Sequence, residues 1–158
     1  MGNKPKNDKP EGKVVAIAVR TAVNGPMKEL SEAHATAAGG LEMDLRVQPQ
    51  RGITFLAKEQ WEEVTRELGV ELPWHTRRAN VLVEGLRLAD LIGKTIRFGD
   101  VEVAVRGETD PCSVMDREHS GLRAALTPAF RGGVHGRVMR GGTFRVGDAI
   151  TVHVCAFG

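Results

Sequence analysis

The chain of 158 residues contains two cysteines, and the surroundings of one of them favour chemistry. Cys112 follows Asp110 and Pro111, and a proline fixes its own φ angle and biases the preceding residue toward an extended conformation. The thiol would therefore lie on a stiff corner between a predicted strand and a predicted helix. At a helix start the backbone amides would favour the thiolate, which is the form that transfers sulfur or binds a soft metal. The alternative is a buried structural cysteine, the usual role of a lone free thiol.

A second group of polar residues precedes the predicted strand at 80–84. Arg78 and Asn80 enter that strand from a loop, where a guanidinium fork and an amide could grip a phosphate or the edge of a planar ring. Arg77 could serve the same purpose. Arg123 could face the same pocket from the helix predicted after Cys112. For each of these residues the alternative is a solvated surface position.

Glycines are concentrated in the segment GGVHG, residues 132–136. This density implies that the backbone approaches another group closely there, and a mobile loop is the alternative. The segment is not a phosphate-binding loop of the Walker type, because no Gly-Lys-Ser/Thr follows it. His135 and Arg137 beside the glycines could supply a proton donor and an anion contact.

The elements that position these residues are predicted from apolar periodicity and turn signals. Strands are predicted at 13–20, 41–47, 50–55, 80–84, 95–98, 101–105, 136–140 and 144–154, and helices at 57–68 and 117–130. The first helix has Trp61 as an anchor of the core and ends at Gly69. Residues 28–37 remain ambiguous, because helical propensity there lacks an apolar face. Short strands separated by glycine turns predict a mainly β fold with short helices (α+β), a partly closed β-barrel.

Composition and charge exclude several classes of function. A net charge of +2, a pI of 8.7 and the absence of tyrosine argue against binding nucleic acid. No apolar run approaches the length of about 18 residues that a transmembrane helix needs, so no membrane partner is expected. Residues 1–12 lack the apolar core of a secretory signal and are predicted as a disordered leader before one domain at 13–158. Two cysteines form no disulfide framework, which favours the cytoplasm, and Cys155 is expected to be a packing or surface residue of the last strand.

Several stretches of the chain, in order, resemble the MOSC family, named for the C-terminal domain of molybdenum cofactor sulfurases. They are RRAN at 77–80, LADLIGKTIRFGDVEV at 88–103, GETDPC at 107–112, GLRAAL at 121–126 and GGVHGRVMRGGTFRVGDAI at 132–150. No single stretch is decisive, whereas the ordered combination is specific. The similarity covers about half of the chain, from residue 77 to residue 150.

The resemblance implies a β-rich, partly closed barrel of MOSC type that is associated with the molybdenum cofactor (molybdopterin). It implies that Cys112 is a metal ligand or a sulfur carrier, and that nearby basic and polar groups hold the phosphate-bearing cofactor. The residues expected to bind the cofactor are Arg77, Arg78, Asn80, Thr109, Arg123, Gly133, His135 and Arg137. The family also has an association with pyridoxal phosphate.

Several functions agree with this resemblance. One is a molybdenum-dependent reductase of N-hydroxylated compounds, since some single-domain relatives work that way. Another is a sulfurtransferase-type carrier that receives a persulfide from a partner cysteine desulfurase, because the chain lacks a desulfurase domain of its own. It also lacks the second barrel domain of the larger molybdenum reductases. A non-enzymatic module that delivers a phosphate-bearing ligand to a molybdoenzyme, and a barrel without chemistry, are the alternatives. Exposed strand edges would permit a homodimer.

Overall fold

The computed structural model describes residues 11–22, 25–37, 39–45, 52–111 and 114–154. Its strands are β1 (Gly12–Arg20), β2 (Met27–Leu30), β3 (Glu32–Ala35), β4 (Ile53–Ala57), β5 (Val81–Glu84), β6 (Lys94–Phe98), β7 (Val101–Glu108), β8 (Val134–Arg140), β9 (Gly142–Arg145) and β10 (Ala149–Val154). Its helices are α1 (Lys58–Leu68), α2 (Val114–Glu118) and α3 (Leu122–Leu126), with short 3₁₀ segments at Trp74–Arg77, Leu88–Leu91 and Pro128–Phe130. Both cysteines and most of the predicted leader lie outside the described residues.

Seven of these strands close into a barrel in the order β1-β10-β6-β7-β8-β4-β5, with β2 added at the edge of β1. The closure is made by β1 and β10, where Gly12 lies opposite Ile150. Neighbouring barrel strands are antiparallel except β4 and β5, which are parallel because α1 lies in the crossover between them. β3 and β9 form a separate ribbon. The predicted mainly β fold with a barrel and short helices is confirmed.

Alternate residues of the strands fill the barrel with an apolar core. Three phenylalanines lie at its centre: the ring of Phe98 makes edge-to-face contacts with Phe55 at 5.8 Å and with Phe144 at 4.9 Å between centroids. Such contacts add about 1 kcal/mol each to the free energy gained by burying the rings. The barrel is therefore filled by its own side chains.

A second core lies outside the barrel, where the helices cover β1, β4 and β5. Trp61 of α1 is buried, as predicted, and its indole N–H donates to the carbonyl of Leu72 at 3.1 Å. Met115 of α2 and Leu122 of α3 pack in the same cluster. α1 ends at Gly69 in a left-handed conformation, also as predicted. The helices that follow Cys112 are therefore fixed to the barrel by apolar packing.

The single helix predicted at 117–130 is two short helices. The break falls at Gly121, whose φ of 88° is incompatible with a continuous right-handed helix. The strand predicted at 144–154 is likewise split into β9 and β10, because Gly147, with φ of 97°, turns the chain between them. None of the helices formed by the described residues combines the length and apolar character needed to cross a bilayer.

The strand predicted at 41–47 is wrong over its described part. Leu41 is buried and forms one isolated bridge, but Met43 and Leu45 are exposed while Asp44 is buried. Met43 also has a φ of 74°, which breaks the strand alternation. The pattern of apolar residues therefore misjudged which side chain points inward.

The reason is an ion pair that Asp44 makes beneath the surface. Its carboxylate accepts hydrogen bonds from the backbone N–H of Arg20 at 2.8 Å and from its guanidinium at 3.1 Å. The amide of Asn80 donates to the same carboxylate at 3.3 Å. A carboxylate can be buried at tolerable cost only with partners of this kind.

Replacing this carboxylate should destabilise the fold. We expect Asp44→Asn to lower the free energy of unfolding by about 3 kcal/mol, because it leaves the Arg20 guanidinium without its counter-charge. Urea unfolding monitored by tryptophan fluorescence measures the change. Glu42→Gln, at an exposed carboxylate two residues away, is the control and should change stability by about 0.5 kcal/mol or less. Equal losses in the two variants would contradict a special role of the buried pair.

Candidate functional site

The chain is anchored on both sides of Cys112, while Cys112 and Ser113 themselves lie outside the described residues. Before them, the backbone N–H of Thr109 donates to the carbonyl of Gly133 at 2.8 Å, and Pro111 is buried. After them, α2 begins directly. In sequence, Cys112 therefore falls between two fixed points.

Arg77 connects these two anchored points. It lies at the end of a 3₁₀ segment with only 7% of its surface exposed. Its guanidinium donates to the carbonyl of Thr109 at 2.9 Å and to that of Gly132 at 3.1 Å, and it contacts the sulfur of Met115 at 3.9 Å. The rigid fork of arginine suits such divergent acceptors. One side chain thus ties the segment before Cys112, the helix after it and the glycine turn.

The glycine turn packs against the protein's own backbone. Gly133 has a φ of 96°, and a Cβ atom there would run into the carbonyl oxygen of Phe55. A Cβ atom on Gly132 would lie 2.6 Å from the carbonyl oxygen of Thr109. The close backbone approach predicted for the glycine-rich segment is confirmed, and the groups approached are carbonyls of this chain.

Arg131, which the sequence analysis did not single out, fixes the same turn to the helices. Its guanidinium donates to Glu67 of α1 at 2.7 Å and to the carbonyl of Ala125 at 3.2 Å. The hydrogen bond from Arg131 lowers the pKa of Glu67, and the same bond raises the pKa of Arg131. Because the folded pKa of Glu67 is lowered, its stabilising contribution is present above the ordinary carboxyl pKa and is lost as pH falls through the lowered value.

Asn80 joins three segments inside the protein. It is fully buried, and its side-chain oxygen accepts from the backbone N–H and the hydroxyl of Thr54, both at 3.2 Å. Its side-chain nitrogen donates to the carbonyl of Ala18 at 3.2 Å and to Asp44. The amide therefore has protein partners on both its oxygen and its nitrogen.

Arg78 reaches an open polar pocket of about 280 Å³. Its guanidinium donates to the carbonyl of Gly25 at 2.7 Å, and its backbone has a left-handed φ of 63°. The pocket is lined by Gly25, Pro26, Met27, His75, Thr76, Arg78 and Glu118. Because Glu118 ends α2, the pocket borders the helix that follows Cys112.

Thr109 offers a hydroxyl group beside this segment. The residue is 7% exposed, and its Oγ1 atom is buried without a hydrogen-bond partner among the described residues. A buried hydroxyl left without a partner costs about 1–3 kcal/mol. A polar group that reached this atom would recover that free energy.

The remaining predicted residues lie on outer surfaces. His135 of β8 faces outward between Thr54 and Gly107, and a Cβ atom on Gly107 would lie 3.4 Å from its Nε2. Arg137 is exposed on the same face of β8, and Arg123 is exposed on α3.

The family model of the MOSC domain matches residues 42–151 of the chain. This chain belongs to the MOSC domain family. No curated protein matches it significantly. Membership confirms the resemblance found in the sequence and supports a role related to the molybdenum cofactor.

Solved structures show the same MOSC fold. YuaD from Bacillus subtilis is 21% identical, with coverage of 93% of this chain and 98% of that one and a TM-score of 0.79. YiiM from Geobacillus stearothermophilus is 18% identical, with coverage of 89% and 74% and a TM-score of 0.72. YiiM from Escherichia coli is 16% identical, with coverage of 91% and 71% and a TM-score of 0.70. At these identities the likeness concerns the fold.

Within this MOSC domain the predicted residues divide into groups. Arg77, Thr109 and Gly133 lie together around the segment that leads to Cys112, and Arg78 lines the neighbouring pocket. Asn80 lies inside the barrel wall, whereas Arg123, His135 and Arg137 lie on outer surfaces. The pocket residues His75 and Glu118 were missed, because a lone histidine and a lone glutamate have no distinctive spacing in the sequence.

Proposed function

We propose that this MOSC domain binds the molybdenum cofactor and that Cys112 ligates its metal or carries a persulfide to it. The observation that carries the proposal is the bonding of Arg77, which holds Thr109 and Gly132 while contacting Met115. A ligating or reactive side chain works best when the backbone that carries it is held rigidly by neighbouring groups. Placing a buried arginine against the segments that flank Cys112 meets that requirement.

The residues present fit an anionic, hydrogen-bonding cofactor. The buried hydroxyl of Thr109 is a donor in need of an acceptor. The guanidinium of Arg78 lines a polar pocket, and arginine suits phosphate oxygens. When bound, the cofactor would supply a molybdenum centre that accepts a soft thiolate ligand. In the proposal Arg78 neutralises the phosphate, Thr109 donates a hydrogen bond, and Arg77 keeps the Cys112 segment in place.

The two versions of the proposal need different partners. A metal-ligating Cys112 suits a reductase of N-hydroxylated compounds, which requires an electron donor. A persulfide-carrying Cys112 requires a cysteine desulfurase as donor and a molybdoenzyme as acceptor. Both versions place the chain in the cytoplasm, where a free thiol stays reduced.

Metal and sulfur content test the proposal directly. The full chain is purified from a host that makes the cofactor, and its molybdenum, released pterin and cyanide-labile sulfur are measured. We expect Cys112→Ala to lose at least about 90% of the bound molybdenum or labile sulfur, because no other thiol replaces the ligand. Cys155→Ala, the matched control, should keep the wild-type content.

The outcomes separate the versions. Molybdenum lost in Cys112→Ala supports ligation, whereas labile sulfur lost without any metal supports the carrier. A wild-type protein that holds neither metal, pterin nor labile sulfur would overturn the proposal. Equal losses in the Cys155→Ala control would overturn the assignment to Cys112.

A further inference from the structure

Arginines lie in register on the outer face of β6, β7 and β8. Arg97 is opposite Glu102, which is opposite Arg140 on the next strand. In the adjacent row Arg137 is opposite Ala104. Residues directly opposite each other across antiparallel strands share a face of the sheet, so these side chains emerge together.

This surface concentrates positive charge. We call it the arginine face and define it as Arg97, Arg106, Arg137 and Arg140. Arg106 joins it from an irregular position in β7, next to the point where the register shifts. Glu102 is the one acidic residue in the two rows, and it pairs with Arg97. The face therefore has an excess of three positive charges, more than the net +2 of the whole chain.

Three of these arginines are open to solvent. Arg106, Arg137 and Arg140 are exposed and form no ion pair with any described residue. The described helices pack instead on the outer side of β1, β4 and β5. Met139, which interrupts the register between Arg137 and Arg140, is 51% exposed. Arginine and methionine together are typical of surfaces that bind proteins.

The arginine face is continuous with the site. β7 runs from this face directly to Thr109, which precedes Cys112 by three residues. At about 3.3 Å per residue of strand, Thr109 lies about 10 Å along the chain from Arg106. A partner that covered the arginine face would therefore stand beside the Cys112 segment.

We infer that the arginine face docks a partner protein with an acidic surface, and that this partner exchanges electrons or sulfur at the Cys112 site. Guanidinium forks bind carboxylates in two-point contacts, and opposite charges speed the encounter. A nucleic acid is disfavoured, because the described outward residues of β6, β7 and β8 include no aromatic ring on which bases could stack. The partner's role rests on the proposed function, but its docking does not.

Binding of an acidic peptide tests the docking surface. The probe is a fluorescein-labelled peptide of about ten glutamates, and its anisotropy is followed as full-length protein is added at low and at physiological salt. We expect the double variant Arg137→Glu/Arg140→Glu to bind at least about tenfold more weakly, because the charge of the face is reversed. The matched control Arg66→Glu/Arg87→Glu reverses two exposed arginines elsewhere and should stay within about twofold of wild type.

Further arms make the result decisive. Cys112→Ala should bind the peptide like wild type, which separates docking from the chemistry of the thiol. Equal weakening in both double variants would overturn the inference, since net charge alone would then explain binding. Tighter binding of wild type to a single-stranded oligonucleotide, or to vesicles of anionic lipid, would overturn it as well. Circular dichroism of each variant confirms that it is folded.

Discussion

Arg77→Met should lower the free energy of unfolding by about 3 kcal/mol and reduce cofactor retention in the protein that remains folded. The substitution keeps an apolar side chain of similar length but leaves the buried carbonyls of Thr109 and Gly132 without their donor. Each buried acceptor without a partner costs about 1–3 kcal/mol. Urea unfolding measures the loss, which corresponds to a Tm lowered by roughly 10 °C.

Two further variants interpret this result. Arg77→Lys keeps the charge but loses the fork, so its stability should fall between wild type and Arg77→Met. Arg87→Met alters a guanidinium whose side chain is 87% exposed, and it should change stability by about 0.5 kcal/mol or less. If Arg77→Met unfolded at the wild-type urea concentration, the hydrogen bonds of Arg77 would contribute nothing to the stability of the fold. Normal cofactor retention in that variant would remove the structural support for the proposed function.

Gly133→Ala should cost still more, at least about 4 kcal/mol, and should reduce the yield of folded protein. The new methyl group would run into the carbonyl oxygen of Phe55, a backbone atom of the barrel wall. β4 is held there by its pairing with β8, in which Phe55 lies opposite Val134, so the oxygen cannot move away cheaply. Overpacking typically costs 1–3 kcal/mol, and the left-handed backbone adds about 1–2 kcal/mol for alanine. The soluble fraction and urea unfolding measure the effect.

Gly69→Ala is the matched control for Gly133→Ala. Gly69 also has a positive φ, of 68°, but nothing lies within 4 Å of the position that a Cβ atom would take. It should lose only the backbone term, about 1 kcal/mol. The difference between the two variants isolates the steric collision. Equal losses would show that the barrel wall yields to the methyl group.

Local patterns were enough to predict much of the barrel. The strands near 13–20 and 80–84 and the helix anchored by Trp61 follow from apolar periodicity, because each buries one side against the core. The segment at 41–45 could not be predicted this way. Its inward residue is Asp44, and the partner that makes this burial tolerable, Arg20, lies 24 positions earlier in the chain. Periodicity records polarity and contains no information about such distant partners.

The site divides along the same line. The stiff corner at Pro111 and the close approach at Gly133 follow from the conformational limits of those two residue types, and the sequence displays them. Arg77 was selected as a cofactor ligand, while its guanidinium bonds to backbone carbonyls 32 and 55 positions away. Carbonyl groups occur at every residue, so no sequence pattern marks the ones that meet an arginine. Only the folded arrangement distinguishes a brace from a ligand.

The pairing of β1 with β10 has a consequence for synthesis of the chain. Gly12 is made early and meets Ile150 only when nearly the whole domain has left the ribosome. Until then the open edge of β1 exposes backbone groups that another nascent chain could capture. Closure between such distant segments is also slow, since loop entropy must be overcome before the contact forms. Crowded expression should therefore trap this protein as aggregates more readily than slow expression, even though the finished barrel leaves that edge covered.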